Sequence, residues 1–106
     1  MSTLSTHVLD AVRGAPAAGI RVTLFDTAGT ESATGVTDAD GRIGALGTEL
    51  AAGNHRLRFD TGEYFAAQGV EAFYPEVDIV FTVGGERHYH VPLLLSPFAF
   101  STYRGS

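Results

Sequence analysis

His88-Tyr-His-Val-Pro-Leu-Leu-Leu-Ser-Pro-Phe-Ala-Phe-Ser-Thr-Tyr-Arg-Gly-Ser106 is the stretch from which the fold of this 106-residue chain is read. Ser96-Pro97 marks a turn, with a strand on either side of it. Side chains alternate along a strand, so Tyr89, Val91, Leu93 and Leu95 share one face, and His88, His90, Pro92 and Leu94 the other. The first face belongs in a core. The second mixes imidazoles with apolar groups, which suits an interface or a lined cavity better than open solvent. Beyond the turn, Phe98, Phe100 and Thr102 oppose Ala99, Ser101 and Tyr103, and the phenylalanines are expected in the core. A chain stopping at Tyr103-Arg104-Gly105-Ser106 with no tail implies that this end is itself placed for a purpose, because unanchored termini fray.

Working back from that hairpin, the same alternation recurs. Leu4, Thr6, Val8 and Asp10 oppose Ser5, His7 and Leu9, which makes a strand with a lone imidazole on its second face. Ile20, Val22 and Leu24 point inward in a second strand, and Glu31 to Thr37 reads as a more polar strand near an edge. Asp38-Ala-Asp-Gly41 is a turn leading into a short strand at Arg42, Ile43 and Ala45. Gly53-Asn54 reads as another turn before His55 to Asp60, where Leu57 and Phe59 face in. Thr61 to Gly69 is the one helix expected, with Thr61 as N-cap and Gly69 as stop. Glu76 to Val83 then pairs through Gly84-Gly85 with the strand near Arg87. Seven or eight short strands at this spacing predict one all-β domain over residues 1–106, an antiparallel sandwich of two sheets with one short helix.

Composition narrows the partners. A net charge of -5, with all seven basic residues arginine, argues against nucleic acid or an anionic membrane as the main partner. No cysteine is present, so disulfides, thiol nucleophiles and zinc–thiolate sites are excluded. No basic segment followed by an apolar run opens the sequence, and no apolar run could span a bilayer, so a cytoplasmic protein is expected.

Few residue types remain for chemistry. His88 and His90 at i, i+2 on a strand aim both rings at one face, and His7 could complete a three-histidine zinc site. The plainer alternative, an interface pair without metal, is favoured because no carboxylate cluster lies nearby to support such ligands. Asp38-Ala-Asp-Gly41 lacks the further acidic ligands of a calcium loop. Phosphate loops, dinucleotide fingerprints and nucleophile elbows are absent from the sequence.

Taken together, His7-Val-Leu-Asp-Ala-Val-Arg-Gly14, Thr37-Asp-Ala-Asp-Gly-Arg42, His88 to Pro97 and Ser101-Thr-Tyr-Arg-Gly-Ser106 closely resemble the 5-hydroxyisourate hydrolases, transthyretin-related enzymes of uric acid breakdown. The resemblance runs the length of the chain. Its most specific piece is the Tyr-Arg-Gly-Ser ending, which separates these enzymes from the carrier transthyretin. It implies a prealbumin-like sandwich of two four-stranded sheets and a homotetramer whose sites open onto a channel between dimers. It implies a catalytic set of His7, Arg42, His90 and Ser106, with Tyr103 and Arg104 binding substrate, and no metal or cofactor. His88 matches the motif but receives no catalytic role. The implied reaction opens a cyclic amide of 5-hydroxyisourate with water, giving 2-oxo-4-hydroxy-4-carboxy-5-ureidoimidazoline. Either His90 or His7 would be the base, with Arg42 on a developing oxyanion. A small-ligand carrier without activity is the alternative.

Overall fold

A computed structural model describes residues 2–106. The strand predicted around His7 is β1 (Thr3–Asp10), and the one predicted from His88 is β8 (His88–Leu95). Between them the chain forms β2 (Ala15–Pro16), β3 (Arg21–Phe25), β4 (Glu31–Val36), β5 (Arg42–Ile43), β6 (Gly53–Phe59), α1 (Thr61–Ala66) and β7 (Val77–Val83), with β9 (Phe100–Thr102) after β8. One sheet runs β4-β3-β6-β7. The other runs β2-β1-β8-β9, with β5 also paired to β1 and so a fifth strand where four were implied.

Among the described residues every strand pairing is antiparallel except one: β1 and β8 run parallel, with Thr3 opposite His88 and Ser5 opposite His90. Parallel neighbours need a long crossover, and here the whole second sheet and α1 supply it. The two sheets close on one core. Leu4, Val8, Tyr89, Val91, Leu93 and Leu95 meet Val22, Leu24, Leu57, Phe59, Val77 and Val83 there. The alternation read from β1 and β8 therefore places the expected faces inward.

Three expectations give way. Phe98 and Phe100 do not enter the core: they are 62% and 40% exposed, and β9 lies entirely at the surface. As an edge strand β9 has one neighbour, β8. Gly53 and Asn54 lie inside β6, paired to Val83 and Thr82, rather than in a turn. The helix is shorter than expected, and its N-cap is Asp60, which makes no side-chain capping bond. Thr61 is instead buried, and its hydroxyl has no partner among the described residues. Gly69 does end the segment, in the left-handed conformation a stop requires (φ 69°).

Two polar clamps hold the frame. Asp10 is buried at the end of β1, where Oδ1 accepts from the Val12 and Arg13 amides and Oδ2 accepts from the Tyr64 hydroxyl at 2.8 Å. Burial, then this bond, raises the Tyr64 pKa. At the turn before β5, Gly41 has φ 74° and its carbonyl accepts from the Val8 amide at 2.8 Å. A Cβ there would strike the Val8 carbonyl oxygen, so glycine is required for β5 to reach β1.

Candidate active site

The outer face of the β1/β8/β5 ribbon carries the polar groups. Thr3, Ser5 and His7 alternate with the buried Leu4, Thr6 and Val8. Parallel register sets Ser5 beside His90, and antiparallel register sets His7 beside Arg42. The Asp38 turn fixes Arg42 locally, because Asp38 Oδ1 accepts from the Asp40 and Arg42 amides at 2.9 Å. An open cavity of about 270 Å³ results, lined by Ser5, Thr6, Arg42, Ile43, Gly44, His88, His90 and Ser106.

Ser106 arrives through a backbone bridge. The Gly105 amide donates to the His90 carbonyl at 2.9 Å, outside the last regular strand. Gly105 packs so closely on His90 that a Cβ would collide with the ring. Arg42, His90 and Ser106 thus meet at one cavity, and His7 stands on the same face as Arg42's strand partner without entering the lining. Tyr103 and Arg104 fall elsewhere. Regular pairing of β9 ends at Thr102, and the next two residues turn into an adjoining, more apolar cavity of about 280 Å³ with Ile79, Phe81, Tyr89 and Val91. Arg104 lies over the Tyr89 ring and 3.6 Å from Glu86. His90 lines both cavities and is their common wall.

Electrostatics at the site favour a neutral imidazole. Burial pushes the His90 pKa below the usual histidine range. The positive charge of Arg42, and that of His7 and His88 when protonated, push it the same way. His7, Arg42 and His88 thus all act on His90 through their charge. The arrangement holds an unprotonated nitrogen base near neutral pH beside a permanent cation, as water activation with oxyanion stabilisation requires.

Ser5 and Thr3 are polar members that the sequence did not reveal. Ser5 Oγ lies 2.7 Å from His88 Nε2 and 2.7 Å from His90 Nδ1, and Thr3 Oγ1 lies 2.6 Å from His88 Nδ1. A hydroxyl at i-2 from His7 has no distinctive signal. Only the parallel pairing across the fold gives it one. His7, His88 and His90 do not converge as metal ligands, and no group of three or more metal-capable side chains occurs among the described residues. His88 and His90 each turn a ring nitrogen to Ser5 instead.

Residues 4–105 match the family described as HIUase/Transthyretin family. A 5-hydroxyisourate hydrolase from Salmonella typhimurium is 48% identical, covering 97% of this chain and 80% of that protein. The solved structure of Klebsiella pneumoniae 5-hydroxyisourate hydrolase superposes with a TM-score of 0.93 at 43% identity, over 100% of this chain and 94% of that one. Sea bream transthyretin in complex with thyroxine superposes with a TM-score of 0.90 at 41% identity, over 96% of this chain and 93% of that one.

Proposed function

The chain belongs to the HIUase/Transthyretin family, and on that premise we infer that it is a hydrolase that converts 5-hydroxyisourate to 2-oxo-4-hydroxy-4-carboxy-5-ureidoimidazoline in urate degradation. The observation that carries the choice between enzyme and carrier is the convergence of Arg42, His90 and Ser106 on one cavity. A carrier for apolar ligands has no use for a permanent cation beside a neutral imidazole in its binding face.

In this reading His90 takes a proton from water as the water oxygen bonds to the amide carbonyl carbon. Arg42 donates to the oxygen on which negative charge grows, a role worth about 3 kcal/mol where one such donor is removed. The tetrahedral carbon then expels the ring nitrogen, which takes the proton from the imidazolium, and the ring opens to a carboxylic acid and a ureido nitrogen. His7 orients the water or supplies a proton on the Arg42 side. The Ser106 hydroxyl hydrogen-bonds water or substrate. Tyr103 and Arg104 bind substrate from the adjoining cavity, through the wall that His90 forms. A homotetramer, in which the outer ribbon faces another copy, would narrow the open cavity and exclude water.

The decisive experiment follows the ultraviolet decay of freshly generated 5-hydroxyisourate with and without the purified protein. Acceleration is expected, and His90→Asn or Arg42→Ala should each lower the rate by about 10² or more while the fold persists. Wild-type-like rates in both variants would sink the assignment of these residues, and no acceleration by the wild type would sink the function.

A further inference from the structure

We propose that Ser5 is a positioning residue: its hydroxyl joins both imidazoles in a one-way hydrogen-bond chain that holds His90 as the Nδ1–H tautomer and leaves the lone pair on Nε2.

The direction follows from counting protons. Thr3 Oγ1 has one hydrogen and two neighbours, the Arg87 carbonyl at 3.4 Å and His88 Nδ1 at 2.6 Å. A carbonyl only accepts, so both contacts are hydrogen bonds when Thr3 donates to Arg87 and His88 Nδ1–H donates to Thr3. A neutral His88 then carries its lone pair on Nε2, 2.7 Å from Ser5 Oγ, and must accept the single serine proton. Ser5 oxygen is left to accept, and its other neighbour at 2.7 Å is His90 Nδ1, which must be the donor. The Arg87 carbonyl also accepts from the Thr3 amide at 3.0 Å, so the direction of the chain rests on the second, 3.4 Å bond from the Thr3 hydroxyl, which the reversed chain would leave without a proton.

Two consequences follow for the reaction proposed above, on which this functional part of the inference rests. The base becomes a defined atom, His90 Nε2. When Nε2 takes a proton, the imidazolium keeps Nδ1–H on Ser5 as a charge-assisted bond. A histidine base in the wrong tautomer presents a hydrogen where a lone pair is needed, and the partner on the other nitrogen sets that choice. The charged or titratable side chains around His90 are His7 on β1, Arg42 on β5, His88 and Tyr89 on β8, and Tyr103 and Arg104 after β9. The Ser5 backbone hydrogen-bonds His90 and raises its pKa, and that backbone stays in Ser5→Ala, so the substitution tests the hydroxyl alone.

The test reads ring ¹⁵N shifts of His90 at a pH of about 8, above the ordinary histidine range, in wild type, Ser5→Ala and Ser5→Thr. Wild type should show Nδ1–H, Ser5→Ala should lose that signature, and Ser5→Thr, which keeps the hydroxyl, should restore it. Turnover of 5-hydroxyisourate should fall in kcat by about tenfold or more in Ser5→Ala, with KM changed less than about twofold, because a base and not a binding contact is impaired. An Nε2–H wild type, or an unchanged tautomer in Ser5→Ala, would overturn the proposal. The wild-type spectrum decides the tautomer even if Ser5→Ala folds poorly or the protein proves inactive on this substrate, so failure here is separable from failure of the functional reading.

Discussion

At the scale of single residues, His90 is tuned by burial first and by its cationic neighbours second. A histidine whose folded pKa lies below its unfolded value of about 6.5 binds fewer protons folded than unfolded in the window between the two. Stability from this group is therefore fully present above about pH 6.5 and is lost as pH falls through that window. Activity follows the same direction, because the base works unprotonated. The acid limb of kcat/KM should have its midpoint below the ordinary histidine value, and the His90 ring titration followed by NMR should agree. Arg42→Gln removes a positive charge that disfavours the imidazolium and should move that titration upward. A His90 titrating at or above the ordinary value in wild type would contradict this account.

The elements β1, β8 and the segment after β9 determine whether the site exists. Gly105 matters because it brings Ser106 to the cavity and leaves room for the His90 ring. Gly105→Ala should displace that ring. Misplacement by about 1 Å can cost about 10²-fold in rate, whereas thermal stability should barely change because the segment lies at the surface. Parallel measurements of kcat and Tm check this, and a large drop in Tm with normal kcat would reverse the argument. Much of this scale was legible in the sequence. Alternation alone oriented β1 and β8, because each buries one apolar face and a slip by one residue would invert it. Alternation does not name a strand's neighbour, so Ser5 against His90 stayed hidden until the parallel register was known. Pattern also misjudged the segment around β9: Phe98 before the strand and Phe100 at its start look like core residues and remain exposed. Tyr103 and Arg104 were assigned through resemblance, and their position beside the adjoining cavity depends on where β9 stops pairing, which side-chain type does not report.

At the scale of the whole molecule, the apolar positions left outside carry the argument. Val80 on β7, Phe73 before it, and Phe98 and Phe100 by β9 are exposed at 65%, 70%, 62% and 40%. Phe100 and Tyr74 meet edge to face, as do Tyr74 and Phe73, so these rings form a connected surface. Large exposed aromatic surface marks a contact face. With the proposed homotetramer, light scattering at micromolar concentration should give four times the chain mass of 11.2 kDa. Specific activity should decline once dilution separates the copies. A monomer with full specific activity would remove any need for a second copy at the site. No helix among the described residues is long and apolar enough to cross a membrane.

The parallel pairing of β1 with β8 has one more consequence. Ser5 and His90 touch although 85 positions separate them, and between them run β2, the whole second sheet, β5 and the helix. Closing so long a span early in folding costs entropy that only the finished core returns. The proposed site therefore depends on that long-range pairing, and turnover should fall wherever β1 and β8 separate, even while the second sheet stays folded.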